Sequence, residues 1–192
     1  MAFAPCESQS AAQRWVGKHL LTWVLLTYMA TLRGLDDAGA LFKIDPGLPP
    51  GVQPERLIYA SPRLVKWLDE VLPGLHSDLG VEQNPQEQMA ILFEGFCAGT
   101  ELAYGPGFHE LIPSDKSIWE LKTPDLRVIG WFAARDCYIA FVADTANRIK
   151  DHHLYGGYRD EAERFRDQLD LDAPKFVPGK DPHAVVSNYH YP

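Results

Sequence analysis

The 192 residues contain only three cysteines, Cys6, Cys97 and Cys137, far apart and in no metal-ligand spacing. That excludes a disulfide framework and points to buried or idle thiols in a reducing compartment. The first ten residues carry Pro5 and Glu7 and no basic residue, so no secretory leader is expected. Long hydrophobic runs are lacking too. The apolar stretch from Leu20 to Ala30 is about half the length a bilayer requires, and Arg14, Lys18 and His19 precede it. A buried or partner-facing helix in a cytoplasmic protein is expected there, with no membrane anchor. Excess positive charge is also missing. The net charge is −8, which argues against a general nucleic-acid binder.

Several motifs are absent. No Gly-x-Ser-x-Gly elbow exists for a serine nucleophile. Gly95, Gly99, Gly105 and Gly107 are followed by no Lys-Ser/Thr pair, so they form no phosphate-binding loop. His109 and Glu110, with Asp115 beyond them, could suggest a metal, but no helix sets two ligands at zinc-site spacing. Neither a cofactor nor a metal is expected.

What is present is an α+β pattern. Apolar residues at Trp15, Val16, Leu20, Trp23, Val24 and Tyr28 predict a helix over 13–33 that is apolar nearly all round. The Asp45–Gly51 run, with three prolines and two glycines, then breaks both helix and strand. This divides the chain into a helical N-terminal extension with connector (1–54), a main domain (55–173) and an irregular tail (174–192). Within the main domain Arg56–Ala60 reads as a strand. Ser61-Pro62 and Asn84-Pro85 each open a helix with a cap followed by proline. Strands are expected at Phe108–Ile112, Ser117–Leu121, Leu126–Phe132 and Cys137–Val142, then a turn or short helix over 144–150 and a last helix over Tyr158–Leu169. Trp119, Val128, Phe132, Ile139 and Phe141 are expected in the core of one antiparallel sheet. Charge is uneven along this order. Residues 114–159 carry 7 basic against 6 acidic side chains, whereas the flanking segments are −6 and −3. If any part meets RNA, it is this middle segment.

Strand, helix, helix, consecutive antiparallel strands, helix: this order resembles the RelE/ParE toxin superfamily. The wording of Ser117-Ile-Trp-Glu-Leu-Lys122, Asp125-Leu-Arg-Val-Ile-Gly-Trp-Phe132 and Cys137-Tyr-Ile-Ala-Phe-Val142 is similar to its HigB, or phage-derived, branch. A basic run follows the last central strand in that branch, and Asn147-Arg-Ile-Lys-Asp-His-His153 stands there in this chain. The resemblance spans about 115 residues. It implies a small antiparallel sheet packed by helices, and a toxin–antitoxin toxin that cleaves mRNA at the ribosome and is silenced by an antitoxin; ParE relatives act on gyrase instead.

Metal-independent RNA cleavage needs a group to take the 2′-hydroxyl proton, a cation over the phosphate and a donor to the leaving 5′-oxygen. The candidates are Lys122, Arg127, Arg148, Lys150, His152 and Tyr155, with His153 beside them. Lys122 and Arg127 end and begin neighbouring strands, so a hairpin could bring them together. The resemblance places Arg127 at the phosphate-stabilising position and makes Tyr155 a base-stacking aromatic. His152 and His153 are of the residue type suited to act as acid or base. Each residue also has an ordinary reading: Lys122 and Arg127 as solvated strand ends paired with Glu120 or Asp125, the histidines as surface residues, Tyr155 as packing. Arg-Ile-Lys where the family often has Lys-Lys, together with the acidic total, keeps a second function open. In it the chain is a non-catalytic RelE-fold binding protein, such as a phage-encoded inhibitor or adaptor. The apolar N-terminal helix asks for a partner in that reading; in either reading Trp15, Leu20, Trp23 and Tyr28 are expected to bury against the domain or a second copy of the chain, a homo-oligomer.

Overall fold

The computed structural model describes residues 31–192; the expected N-terminal helix and its oligomer contacts lie largely outside them. Residues 31–37 are helical, and Leu32, Leu35 and Leu41 are buried. The sheet has six strands in the order β1 (Phe42–Lys43), β2 (Leu57–Ala60), β7 (Cys137–Thr145), β6 (Leu126–Ala134), β5 (Trp119–Lys122) and β4 (Phe108–Glu110). A two-stranded accessory pair joins β3 (Leu102–Ala103) to β8 (Tyr189–His190). The expected α+β class holds, but the sheet is mixed where a purely antiparallel one was expected, because β2 runs parallel to β7. Parallel neighbours cannot be joined by a hairpin, so the chain between them must cross over, and it uses its helices to do so.

Those helices start where the sequence says they should. Helix α1 (Pro62–Glu70) is capped by the Ser61 hydroxyl, which accepts from the Leu64 amide, and has proline in its first turn. Helix α2 (Pro85–Cys97) opens on a reciprocal capping box between Asn84 and Glu87. Both cover one face of the sheet, where Phe96, Phe108, Trp119, Val128, Phe132 and Tyr138 form a continuous core. The other face packs Ile129, Trp131, Ile139 and Phe141 against α4 (Tyr155–Gln168), which follows the short α3 (Ala146–Asp151). The five expected core residues are all buried, but they divide between the two faces. Helix α4 starts three residues earlier than the sequence reading, so the Tyr155-Gly-Gly157 turn is its first turn. The C-terminal stretch holds α5 (Pro182–Val185) and β8.

One irregularity decides what faces α4. Ile129 pairs with Val142, but Gly130 pairs with Ala140, so Phe141 is an extra residue in β7. Phe141 and Val142 therefore both join the α4-side core, and Ala143 returns to the α2 side. From there on, the alternation of β7 is inverted. Asp144 consequently lies on the α4 face, opposite Arg127. Gly130 is required at this bulge, since a Cβ there would stand 2.0 Å from the Ile139 carbonyl oxygen.

Candidate functional site

Strands β4, β5 and β6 are in register so that His109 pairs with Glu120, and Lys122 with Arg127. Side chains two apart share a face. His109, Glu120, Lys122 and Arg127 thus project together from the α4 side, beside the first turn of α4. Tyr155 in that turn interacts with both Glu120 and Arg127.

Glu120 is the centre of the group. Its side chain is 1% exposed, and Lys122 Nζ is 3.4 Å from its Oε1. Burial raises its pKa, because removing a carboxylate from water penalises the charged form; Lys122 and Arg127 oppose this only in part. His109 Nδ1 lies 3.1 Å from the same Oε1 without making a hydrogen bond. Desolvation, helped by Lys122 and Arg127, pushes His109 down to about 4, so its imidazole is neutral near pH 7. Lys122 Nζ donates to the Gly105 carbonyl at 2.7 Å. Arg127 Nη1 donates to the Thr123 and Leu126 carbonyls at 2.6 and 2.7 Å. Burial raises the Tyr155 phenol, so it keeps its proton.

Three buried polar atoms of this cluster make no hydrogen bond of good geometry, Glu120 Oε2, His109 Nδ1 and Arg127 Nε, although Tyr155 is a hydrogen-bonding neighbour of both Glu120 and Arg127. Buried polar groups in folded proteins are nearly always satisfied, and such exceptions concentrate at strained or catalytic places. The arrangement supplies a protonatable carboxyl, a neutral imidazole, two cations and a phenol within one face of three strands. Chemically it can hold an anion and move protons beside it.

Of the residues expected from the sequence, Lys122, Arg127 and Tyr155 come together here. Arg148 is one strand away. Its Nη1 is 2.7 Å from Asp144 Oδ2, which also accepts from the Tyr158 hydroxyl at 2.7 Å. Lys150, His152 and His153 are exposed on α3 and the turn after it, and are not among the groups acting on Glu120 or His109. Sequence reasoning assigned no chemistry to Glu120, weighing it only as a salt-bridge partner, and considered His109 only as a metal ligand. The signal for Glu120 was its place two residues before Lys122 on a strand. For His109 no local signal existed, since its position depends on how β4 pairs. Among the described residues no group of three His, Cys, Asp or Glu side chains is arranged to hold a metal ion.

A groove of about 580 Å³ lies on the opposite side of the β5–β6 turn, between α2 and Lys122, lined by Ile91, Leu92, Leu102 and Pro124. It carries none of the cluster except Lys122. No helix among the described residues is long and apolar enough to cross a membrane. No family model matches the chain, and no curated protein or solved structure matches it either.

Proposed function

We propose that the chain is a metal-independent endoribonuclease of the RelE/HigB type, the toxin of a toxin–antitoxin pair acting on mRNA in the cytoplasm. The observation that carries this reading is the buried Glu120 with Lys122, Arg127, His109 and Tyr155 around it. The order of strand, two helices, antiparallel strands and helices supports it as well. In this reading Arg127 and Lys122 neutralise the phosphate as negative charge builds on its oxygens. The Arg127 fork suits two oxygens at once. Tyr155 stacks on or donates to the nucleotide from the start of α4. Arg148, tied to Asp144, extends the positive surface for the RNA backbone, with Lys150 and His152 at its margin.

The test is growth arrest on expression, with mRNA cleavage read by primer extension, for wild type and Arg127→Ala. Arrest with mRNA cleavage, both abolished in R127A, is the expected result. Arrest with intact mRNA points to a gyrase-type target. A second reading has one observation in its favour: Lys122 and Arg127 already donate to protein carbonyls. Under it the cluster is a framework element of a non-catalytic binding protein. The absence of arrest, together with a tight protein partner other than an antitoxin, would select it.

A further inference from the structure

We infer that His109 delivers the proton to the leaving 5′-oxygen, and that Glu120 stands behind it as the store from which that proton is replaced. The inference rests on the ribonuclease reading above and assigns a role to His109 on β4, a residue to which the resemblance gives none.

The geometry is that of a relay. His109 is the reachable member, with 33% of its side chain exposed, while Glu120 behind it is 1% exposed. The ring nitrogen turned inward is Nδ1, 3.1 Å from Glu120 Oε1, which leaves Nε2 as the nitrogen a substrate can meet. The two atoms are within reach of one another but not aligned, a geometry common among catalytic pairs. The groups facing His109 are Glu120 and Lys122 from β5, Arg127 from β6 and Glu110 on its own strand, while Tyr155 from α4 meets it across Glu120. Burial favours the neutral forms of both Glu120 and His109, and with Oε1 3.1 Å from Nδ1 a carboxyl proton on Glu120 is within reach of that nitrogen while the ring proton resides on Nε2.

The step balances. The 2′-oxygen forms a bond to phosphorus as its proton leaves to water, and the bond from phosphorus to the 5′-oxygen breaks. The 5′-oxygen takes the proton from His109 Nε2, and Nδ1 takes the proton of Glu120. Glu120 becomes a carboxylate beside Lys122 Nζ at 3.4 Å, with Arg127 on the next strand. This gives the two cations beside the buried acid a role: they stabilise the charge that appears on it during the reaction. Water then returns a proton to the pair. The products are a 2′,3′-cyclic phosphate and a free 5′-hydroxyl.

The experiment uses the full chain, a short single-stranded RNA and the same RNA with sulfur replacing the scissile 5′-oxygen. A thiolate leaves without a proton. His109→Gln is expected to lose about 100-fold or more on ordinary RNA, the usual worth of general acid catalysis, and to recover to nearly the wild-type rate on the sulfur substrate. Glu120→Gln is expected to show the same rescue, and Arg127→Ala no rescue on either substrate. The rescue itself shows that the variants are folded. A H109Q variant with an undiminished rate on ordinary RNA, or one equally slow on both substrates, overturns the role of His109 while leaving the ribonuclease reading intact. A wild-type chain that cleaves neither RNA overturns both.

Discussion

On the α2 side of the sheet, buried polar groups find partners. The Tyr138 hydroxyl reaches the Trp119 and Val128 carbonyls at 2.9 and 3.0 Å. Gln88 donates to Asp125 and accepts from Thr123 and the Asp125 amide. Arg56, with no exposure, reaches the carbonyls of Phe96, Gly99, Thr100 and Asn188. The exceptions on that side are the Trp119 indole, the Tyr189 hydroxyl and Arg56 Nε, which has Asp136 Oδ1 at 3.3 Å, with Ser77 Oγ in the loop before α2. On the α4 side the same strands bury Glu120, His109 and Arg127 with one atom each unsatisfied, and all three sit in one place. An unmet buried polar atom costs on the order of 1–3 kcal/mol, so a cluster of them is a local expense that folding alone does not explain. The two faces differ in concentration: the exceptions on the strands of the α4 side gather in one cluster, whereas those of the α2 side are dispersed.

That contrast can be broken by substitution. Trp119→Ala, on the α2 side, is expected to cost about 3–5 kcal/mol in denaturant unfolding; an unchanged midpoint would remove Trp119 from the core. Arg127→Ala, on the other face, is expected to lower kcat for RNA cleavage by about 100-fold or more while KM changes little, because its charge matters most in the transition state. Tyr138→Phe is expected to cost about 1–2 kcal/mol, since it removes the one hydroxyl proton that the Trp119 and Val128 carbonyls share. The smallest effect has the opposite sign. Glu120→Gln removes a buried acid whose folded-state pKa is raised. Such a group favours folding below its ordinary value and loses that contribution as pH rises through the raised one. The variant is therefore expected to melt higher than wild type at about pH 8, with the gap closing towards pH 4. A variant less stable at the alkaline end would make Glu120 a structural ion-pair partner after all.

How much of this was legible in advance follows chain distance. Lys122 and Arg127 are five residues apart around a turn, so a hairpin could be foreseen and their pairing with it. The caps at Ser61 and Asn84 are written in three or four neighbouring residues. The parallel seating of β2 on β7 joins Leu57 to Cys137, and nothing in either segment names the other. The importance of Glu120 was hidden for a similar reason. A glutamate on a strand reads as solvent-facing until α4 covers it, and that cover comes from residues 35 positions away. The bulge was illegible because β7 is apolar on both faces, so its alternation carries no phase.

Phe141 also sets limits on how this segment can change in length. Along β7 the two faces alternate like a wave of period two, and the extra residue shifts that wave by half a period. A deletion of one residue anywhere between Ala140 and Ala143 would erase the shift. It would turn Asp144 towards α2, taking with it the anchor of Arg148 and Tyr158 and the neighbour of Arg127. An insertion would do the same, whereas removing or adding two residues would leave the phase intact. For this stretch the parity of a length change, more than the chemistry of any single side chain, decides whether the polar end of the sheet keeps its shape.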